Sequence, residues 1–165
     1  MARAPIKPQV GPALFEVEEA PAPATTSGRR LVVEADGGSR GNPGPAAYGA
    51  LVRDADSGEL LNSEGLTVGT ATNNVAEYSG LIAGLEMARA IDPGAAVEVR
   101  MDSKLVIEQM AGRWRVKHPD LKPLASAAQR LRPARVTWTW VPREKNKAAD
   151  ALVNAALDGQ PRRRH

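Results

Sequence analysis

Leu31-Val32-Val33 is followed three residues later by an aspartate and then by Gly37-Gly38-Ser39-Arg40-Gly41-Asn42-Pro43-Gly44. Apolar, β-branched residues suit a pleated strand and a Gly/Pro cluster stops one, so this stretch reads as a short buried strand that delivers Asp36 to its end. A carboxylate there, beside a glycine-rich turn whose backbone can come close to a ligand, marks a site rather than a core element. The glycines do not fit G-x-G-x-x-G, no G-x-x-x-x-G-K-[ST] occurs, and Pro43 and Pro45 oppose a helix directly after them. A tight hairpin turn is expected, not a nucleotide cradle.

The rest of the chain builds a sheet around that strand. Tyr48 to Arg53 and Glu59 to Leu66 are joined by the turn-type run Asp54-Ala55-Asp56-Ser57-Gly58, which predicts an antiparallel hairpin beside the first strand. Tyr78, Leu81, Ile82, Leu85, Ala88 and Ile91 recur at helical spacing from Asn74 to Ile91, where Asp92-Pro93-Gly94 stops the helix. Val97-Glu98-Val99-Arg100-Met101 alternates like a strand with one buried face and runs into Asp102. Two short helices, Leu105 to Met110 and Leu121 to Leu131, precede a last strand, Val136 to Val141, and a closing helix from Lys147 to Leu157 ended by Gly159. The order β-β-β-α-β-α-α-β-α predicts an α/β fold: a five-stranded mixed sheet of three antiparallel strands then parallel ones, flanked by helices, with the strand after the long helix parallel to the first.

Composition sets the outer limits. At 165 residues and 42% hydrophobic, the chain suits one domain. Residues 1–28, rich in Pro and Ala, are expected to be a flexible extension in which only Leu14, Phe15 and Val17 could pack. Residues 29–159 form the folded domain, and 160–165, Gln160 to His165, a solvated basic tail. The absence of cysteine excludes disulfides and thiolate metal sites, and with two histidines no histidine-held zinc is expected. Any bound metal is expected to sit among oxygens. A net charge of +3 permits a polyanionic partner without requiring one. No segment is long and apolar enough to span a membrane and the N-terminus has no apolar signal core, so a cytoplasmic protein is expected.

If the Leu31 and Val97 strands are parallel neighbours, Asp36 and Asp102 share the crevice at their carboxyl ends, where open α/β sheets hold ligands. Glu77 starts the long helix and Asp150 the last one, and both can face the same edge. Four converging carboxylates repel one another, which a divalent cation relieves. Each also has a plainer reading. Glu77 stands three residues after Asn74 and can complete a capping box, Asp150 can answer a helix dipole, and Asp36 and Asp102 can begin turns.

Asp36-Gly37-Gly38-Ser39 with Asn42-Pro43-Gly44, Thr72 to Glu77, Asp102-Ser103, and Asn146 to Asp150 resemble, in order and spacing, the motifs of type 1 ribonuclease H. The likeness runs from about Arg30 to Leu157 and is nearest the compact branch found in archaea and actinobacteria. It implies a ribonuclease H-like fold and an endonuclease that cuts the RNA strand of an RNA–DNA hybrid using two Mg2+ ions, Mn2+ being a possible substitute. By similarity Asp36 bridges the ions, Glu77 and Asp102 hold one, and Asp150 completes the other. Asn42, Asn73 and Asn74 match positions that grip the hybrid in its minor groove, where the 2′-hydroxyl is sensed, with Ser103 a further candidate.

Two departures from the family pattern stand out. Many bacterial members have a histidine in the loop before the last aspartate, whereas here Arg143-Glu144-Lys145 occupies it, and an arginine contacts phosphate but does not shuttle protons at neutral pH. The long basic handle that some members use for the DNA strand is reduced to Gly112-Arg113-Trp114-Arg115-Val116-Lys117-His118, in which Trp114 is either a contact or a core residue. Some relatives are fused to a C-terminal histidine-phosphatase domain, of which this sequence carries none. A monomer is expected. The rival reading is a non-catalytic hybrid- or RNA-binding module on the same fold.

Overall fold

The computed structural model describes residues 26–165. The Leu14, Phe15 and Val17 cluster therefore lies outside the described residues, as does the proposed extension apart from residues 26–28. The elements are β1 (Arg30–Ser39), β2 (Gly44–Asp54), β3 (Leu60–Ala71), α1 (Asn73–Ile91), β4 (Ala96–Met101), α2 (Lys104–Met110), α3 (Lys122–Arg130), β5 (Val136–Trp140), a single 3-10 turn (Arg143–Lys145) and α4 (Lys147–Leu157). One five-stranded sheet runs β3-β2-β1-β4-β5. β1 pairs antiparallel with β2 and parallel with β4, and β4 pairs parallel with β5. The mixed sheet expected from the element order is therefore present.

The phase of the strands fixes the two faces. Leu31, Val33 and Ala35 of β1 and Val97, Val99 and Met101 of β4 are all buried, in one core with Tyr78, Leu81 and Leu85 of α1. The alternate positions, Glu34 and Arg100 among them, turn to the other face, where Glu34 accepts from Arg53 at 3.0 Å. A sheet whose strands keep this alternation has its register specified, because a slip of one residue would expel the apolar set.

Two expectations are corrected, and the open alternative for Trp114 is decided. β1 does not stop at Asp36: it pairs with β2 as far as Ser39, so the turn is confined to residues 40–43, and only with respect to β4 does Asp36 lie at a strand end. Gly37 and Gly38 hid this continuation, since glycine carries no strand preference. Trp114 is not in the core but 46% exposed. The C-terminal tail is not freely solvated. Gly65 and Arg162 exchange backbone hydrogen bonds of 2.7 and 2.8 Å, and the Arg164 guanidinium donates to Glu64 at 2.6 and 2.8 Å and to Glu86 at 3.0 Å.

Glu64 is buried in β3 and also accepts from the Tyr48 hydroxyl at 2.7 Å. Arg164 holds its carboxyl below the usual range. Arg164→Ala strands that charge, at a cost of about 1–2 kcal/mol, less than for a fully buried pair because Arg164 is 34% exposed. The expected result at pH 7 is a melting temperature about 3–8 °C lower. Because the Glu64 carboxyl is lowered in the fold, this contribution is present above its unfolded pKa and disappears as acid protonates it. Thermal melts of both proteins at pH 7 and pH 3 check this, and an equal gap at both pH values would contradict it.

Candidate active site

The β1–β4 ladder ends with Glu34 beside Arg100. Carried two residues further, the same register sets Asp36 beside Asp102, each with an oxygen in one shared group. Glu77 reaches them because the first turns of α1 press directly on β1. A Cβ on Gly37 would collide with the backbone of Ala76 and Glu77, and one on Gly80 with the Asp36 carbonyl. Two backbones meet only where side chains are missing, and here that meeting brings Glu77 over Asp36. One carboxylate oxygen from each of Asp36, Glu77 and Asp102 lies within 4.8 Å of the others.

Asp150, in the first turn of α4, stands outside that grouping but lines the same open cavity of 610 Å³. Its position also suits the α4 dipole, so the two readings coexist. The capping-box reading of Glu77 is overturned. Thr72 is the N-cap of α1 and its hydroxyl accepts from the Val75 amide at 3.3 Å, while Glu77 turns into the cluster.

Burial, and secondly the negative charge of Asp102, push the Asp36 carboxyl up to about 7. Burial again, then the charges of Asp36 and Asp102, raise Glu77 well above the ordinary carboxylate range. Among the described residues, Glu77 Oε1 at this cluster is a buried side-chain oxygen without a partner. An unpartnered buried oxygen calls for an explanation, and a hard cation among oxygen donors supplies one. The residues present therefore fit a divalent metal site.

The other expected residues divide. Asn73 and Arg143 line the cavity, Arg143 as an exposed cation at its lip. Asn42 does not line it; its Oδ1 accepts from the Asn73 amide at 3.0 Å, and Asn73 Oδ1 accepts from the Ser39 amide at 2.9 Å. These bonds tie the 40–43 turn to the start of α1 and leave both NH2 groups as donors. Asn74 opens onto a separate groove with Gln109, Arg113, Trp114, Lys117 and His118. Ser103 caps α2, accepting from the Val106 amide at 3.3 Å.

Two residues were missed. Asn146 is 1% exposed and sits between β1, Asp102 and α4; an asparagine before a helix reads as a cap, and nothing in the sequence separates that from a buried contact. Trp140 is 46% exposed at the cavity rim, donating its indole N–H to the Asp102 carbonyl at 3.1 Å, with Lys104 5.7 Å from its ring. In the sequence it is one more residue of the last strand, with nothing to mark it as a rim residue.

A family profile described as Reverse transcriptase-like matches residues 34–156. The N-terminal RNase H domain of a Mycobacterium tuberculosis protein, solved as a maltose-binding-protein fusion, is 54% identical with a TM-score of 0.75, covering 80% of this chain and 96% of that one. The chain belongs to the type 1 ribonuclease H family. Ribonuclease HI of Halobacterium salinarum is 46% identical over 79% of this chain and 66% of its own length. LC11-RNase H1, solved in complex with an RNA/DNA hybrid, is 40% identical with a TM-score of 0.74, covering 78% of this chain and 97% of that one. The curated M. tuberculosis relative is a bifunctional protein, and this chain spans 36% of its length.

Proposed function

We propose that this ribonuclease H domain is a divalent-metal-dependent endonuclease hydrolysing the RNA strand of RNA–DNA hybrids. The observation that carries the reading is the group of buried Asp36 with half-buried Glu77 and Asp102, oxygen donors within 4.8 Å of one another at an open cavity that Asp150 also lines. Asp36, Glu77 and Asp102 would hold one ion, and Asp36 with Asp150 a second. Two bound Mg2+ ions would supply Lewis-acid stabilisation of the attacking water and the leaving oxygen. Mg2+ is the proposed native ion, Mn2+ a substitute, and a cytoplasmic monomer the proposed state.

The chain's own groups set the conditions. Protons on Asp36 and Glu77 compete with a cation, so metal affinity rises with pH. The Asn42 and Asn73 amides keep donors free for a 2′-hydroxyl or a base edge, since their carbonyl oxygens are already engaged. Arg143 would meet a backbone phosphate at the cavity lip. The Asn74 groove, with Arg113, Lys117 and exposed Trp114, offers cations and an aromatic face to the DNA strand, and Ser103 a hydroxyl beside Asp102. A pure binder gains nothing from carboxylates aimed at phosphates, which disfavours the non-catalytic reading.

Gel-resolved cleavage of a labelled hybrid, beside matched RNA–RNA and DNA–DNA duplexes, tests the proposal. With Mg2+ or Mn2+, only the RNA strand of the hybrid is expected to be cut, and EDTA stops it. Hybrid binding without cutting under either metal would make the protein a binding module instead.

A further inference from the structure

Asn146 is the most deeply buried polar residue at the site that the proposed reaction does not use. Its Nδ2 donates to the Ala35 carbonyl at 2.9 Å and lies 3.5 Å from Asp102 Oδ1. The Ala35 carbonyl belongs to the residue immediately before Asp36. The backbone carbonyl of Asn146 accepts from the Asp150 amide at 3.1 Å, closing the first turn of α4. Thus one side chain touches the strand that carries Asp36 and the carboxylate of Asp102, while its own backbone starts the helix that carries Asp150. Among the described residues, it is the one side chain that hydrogen-bonds to both Ala35 and Asp102.

The cap role suggested by its place in the sequence is not performed. Asn146 precedes α4, yet its side chain makes no capping hydrogen bond. The amide is turned inward, with Oδ1 buried and unpartnered. A buried orphan oxygen is a cost the fold accepts only where the other end of the group is needed. Here the needed end is the NH2 group, and its acceptors are the end of β1 and Asp102.

We infer that Asn146 is a positioning residue: its carboxamide locks α4 against the tips of β1 and β4, so that Asp150 and Asp102 are held in place for the cation pair. The inference rests on the reading above of the carboxylates as a divalent-cation site. Groups that orient metal ligands from behind typically change metal affinity or activity by about 10–100-fold when removed. Asn146 is 1% exposed, so hybrid affinity is expected to rest on other residues.

The test compares wild type with Asn146→Ala and Asn146→Asp. The second keeps the volume but removes both N–H donors. Mg2+ binding is measured by calorimetry without substrate, hybrid affinity by fluorescence anisotropy in EDTA, and kcat and KM over a Mg2+ series. Both variants are expected to bind Mg2+ about 10–100-fold more weakly and to lose kcat, with hybrid affinity in EDTA within about twofold of wild type and activity partly rescued by higher Mg2+. Wild-type Mg2+ affinity in either folded variant overturns the positioning role. If wild type itself binds no Mg2+, the metal-site reading fails instead, and the two failures are distinct. Should neither variant fold, the wild-type side-chain amide resonances of Asn146 decide: they are expected to be protected from solvent exchange and to shift on Mg2+ addition, and unchanged resonances at saturating Mg2+ overturn the inference.

Discussion

Asp36→Asn is expected to reduce hybrid cleavage by at least about 10³-fold while raising the melting temperature of the metal-free protein at pH 8. The loss follows from removing an oxygen donor at nearly constant volume; forfeiting about 4 kcal/mol of metal-held charge stabilisation is about three decades in rate. The gain follows from the same residue's surroundings. Its carboxyl is pushed up to about 7 in the fold, first by burial and then by Asp102, against an unfolded value of about 3.9. A raised acid favours the fold below its unfolded pKa, and that stability is lost as pH climbs through the folded value. The metal-free wild type therefore weakens between about pH 4 and pH 8, by an amount on the order of a few kcal/mol.

The asparagine variant lacks the Asp36 part of this titration, and burial still raises Glu77. In EDTA its melting temperature should exceed that of wild type by about 5–10 °C at pH 8 and match it near pH 4. Mg2+ should restore most of the wild-type deficit at pH 8, since a cation binds only the folded cluster. Melts at both pH values, with and without Mg2+, together with the cleavage assay, check the set. Turnover near the wild-type rate would remove Asp36 from the site, and coincident melts at pH 8 would show that its charge is not strained.

The second large effect comes from adjacent glycines. Gly37→Ala drives a methyl group into the backbone of Ala76 and Glu77, which cannot yield without lifting α1 from β1. At Gly38 an added Cβ meets nothing nearer than the Val153 Cγ1 at 3.8 Å, an ordinary contact. Overpacking against backbone is expected to cost Gly37→Ala about 3 kcal/mol, some 6–12 °C in melting temperature, whereas Gly38→Ala stays within about 2 °C. Gly37→Ala should also weaken Mg2+ binding, because Glu77 moves away from Asp36 with the helix. Equal melting temperatures for the two variants would mean that α1 does not depend on this close approach.

These two glycines also show where reading the sequence runs out. Val97 to Met101 announced itself because alternation is a property of the segment alone, and the long helix did so through its apolar spacing. Gly37 and Gly38 look identical in sequence, and only the helix above one of them separates their roles. Glu77 offered a local explanation, a cap three residues after Asn74, and a distant one; locally both were sound, and Thr72 decided the matter by taking the cap. The acids themselves were legible because aspartate after an apolar run is unusual, and their motifs resemble a family. Asn146 was not, since its partners Ala35 and Asp102 are remote along the chain. Arg164 hid for the same reason: a basic tail reads as solvated until Glu64 and Glu86 are placed beneath it.

The parallel ladder between β1 and β4 gives the chain a reading frame of its own. Asp36 and Asp102 coincide because each lies two residues past the same pair, Glu34 and Arg100. Lengthening the Asp54 to Glu59 turn, or the turn after Ile91, leaves that count unchanged. Deleting one residue from Val97 to Met101 does not: it draws Asp102 back by one pleat, about 3.3 Å, and flips it to the apolar face. Loops around this centre are thus free to diversify and to change what the surface grips, while the strands between them keep time for the chemistry.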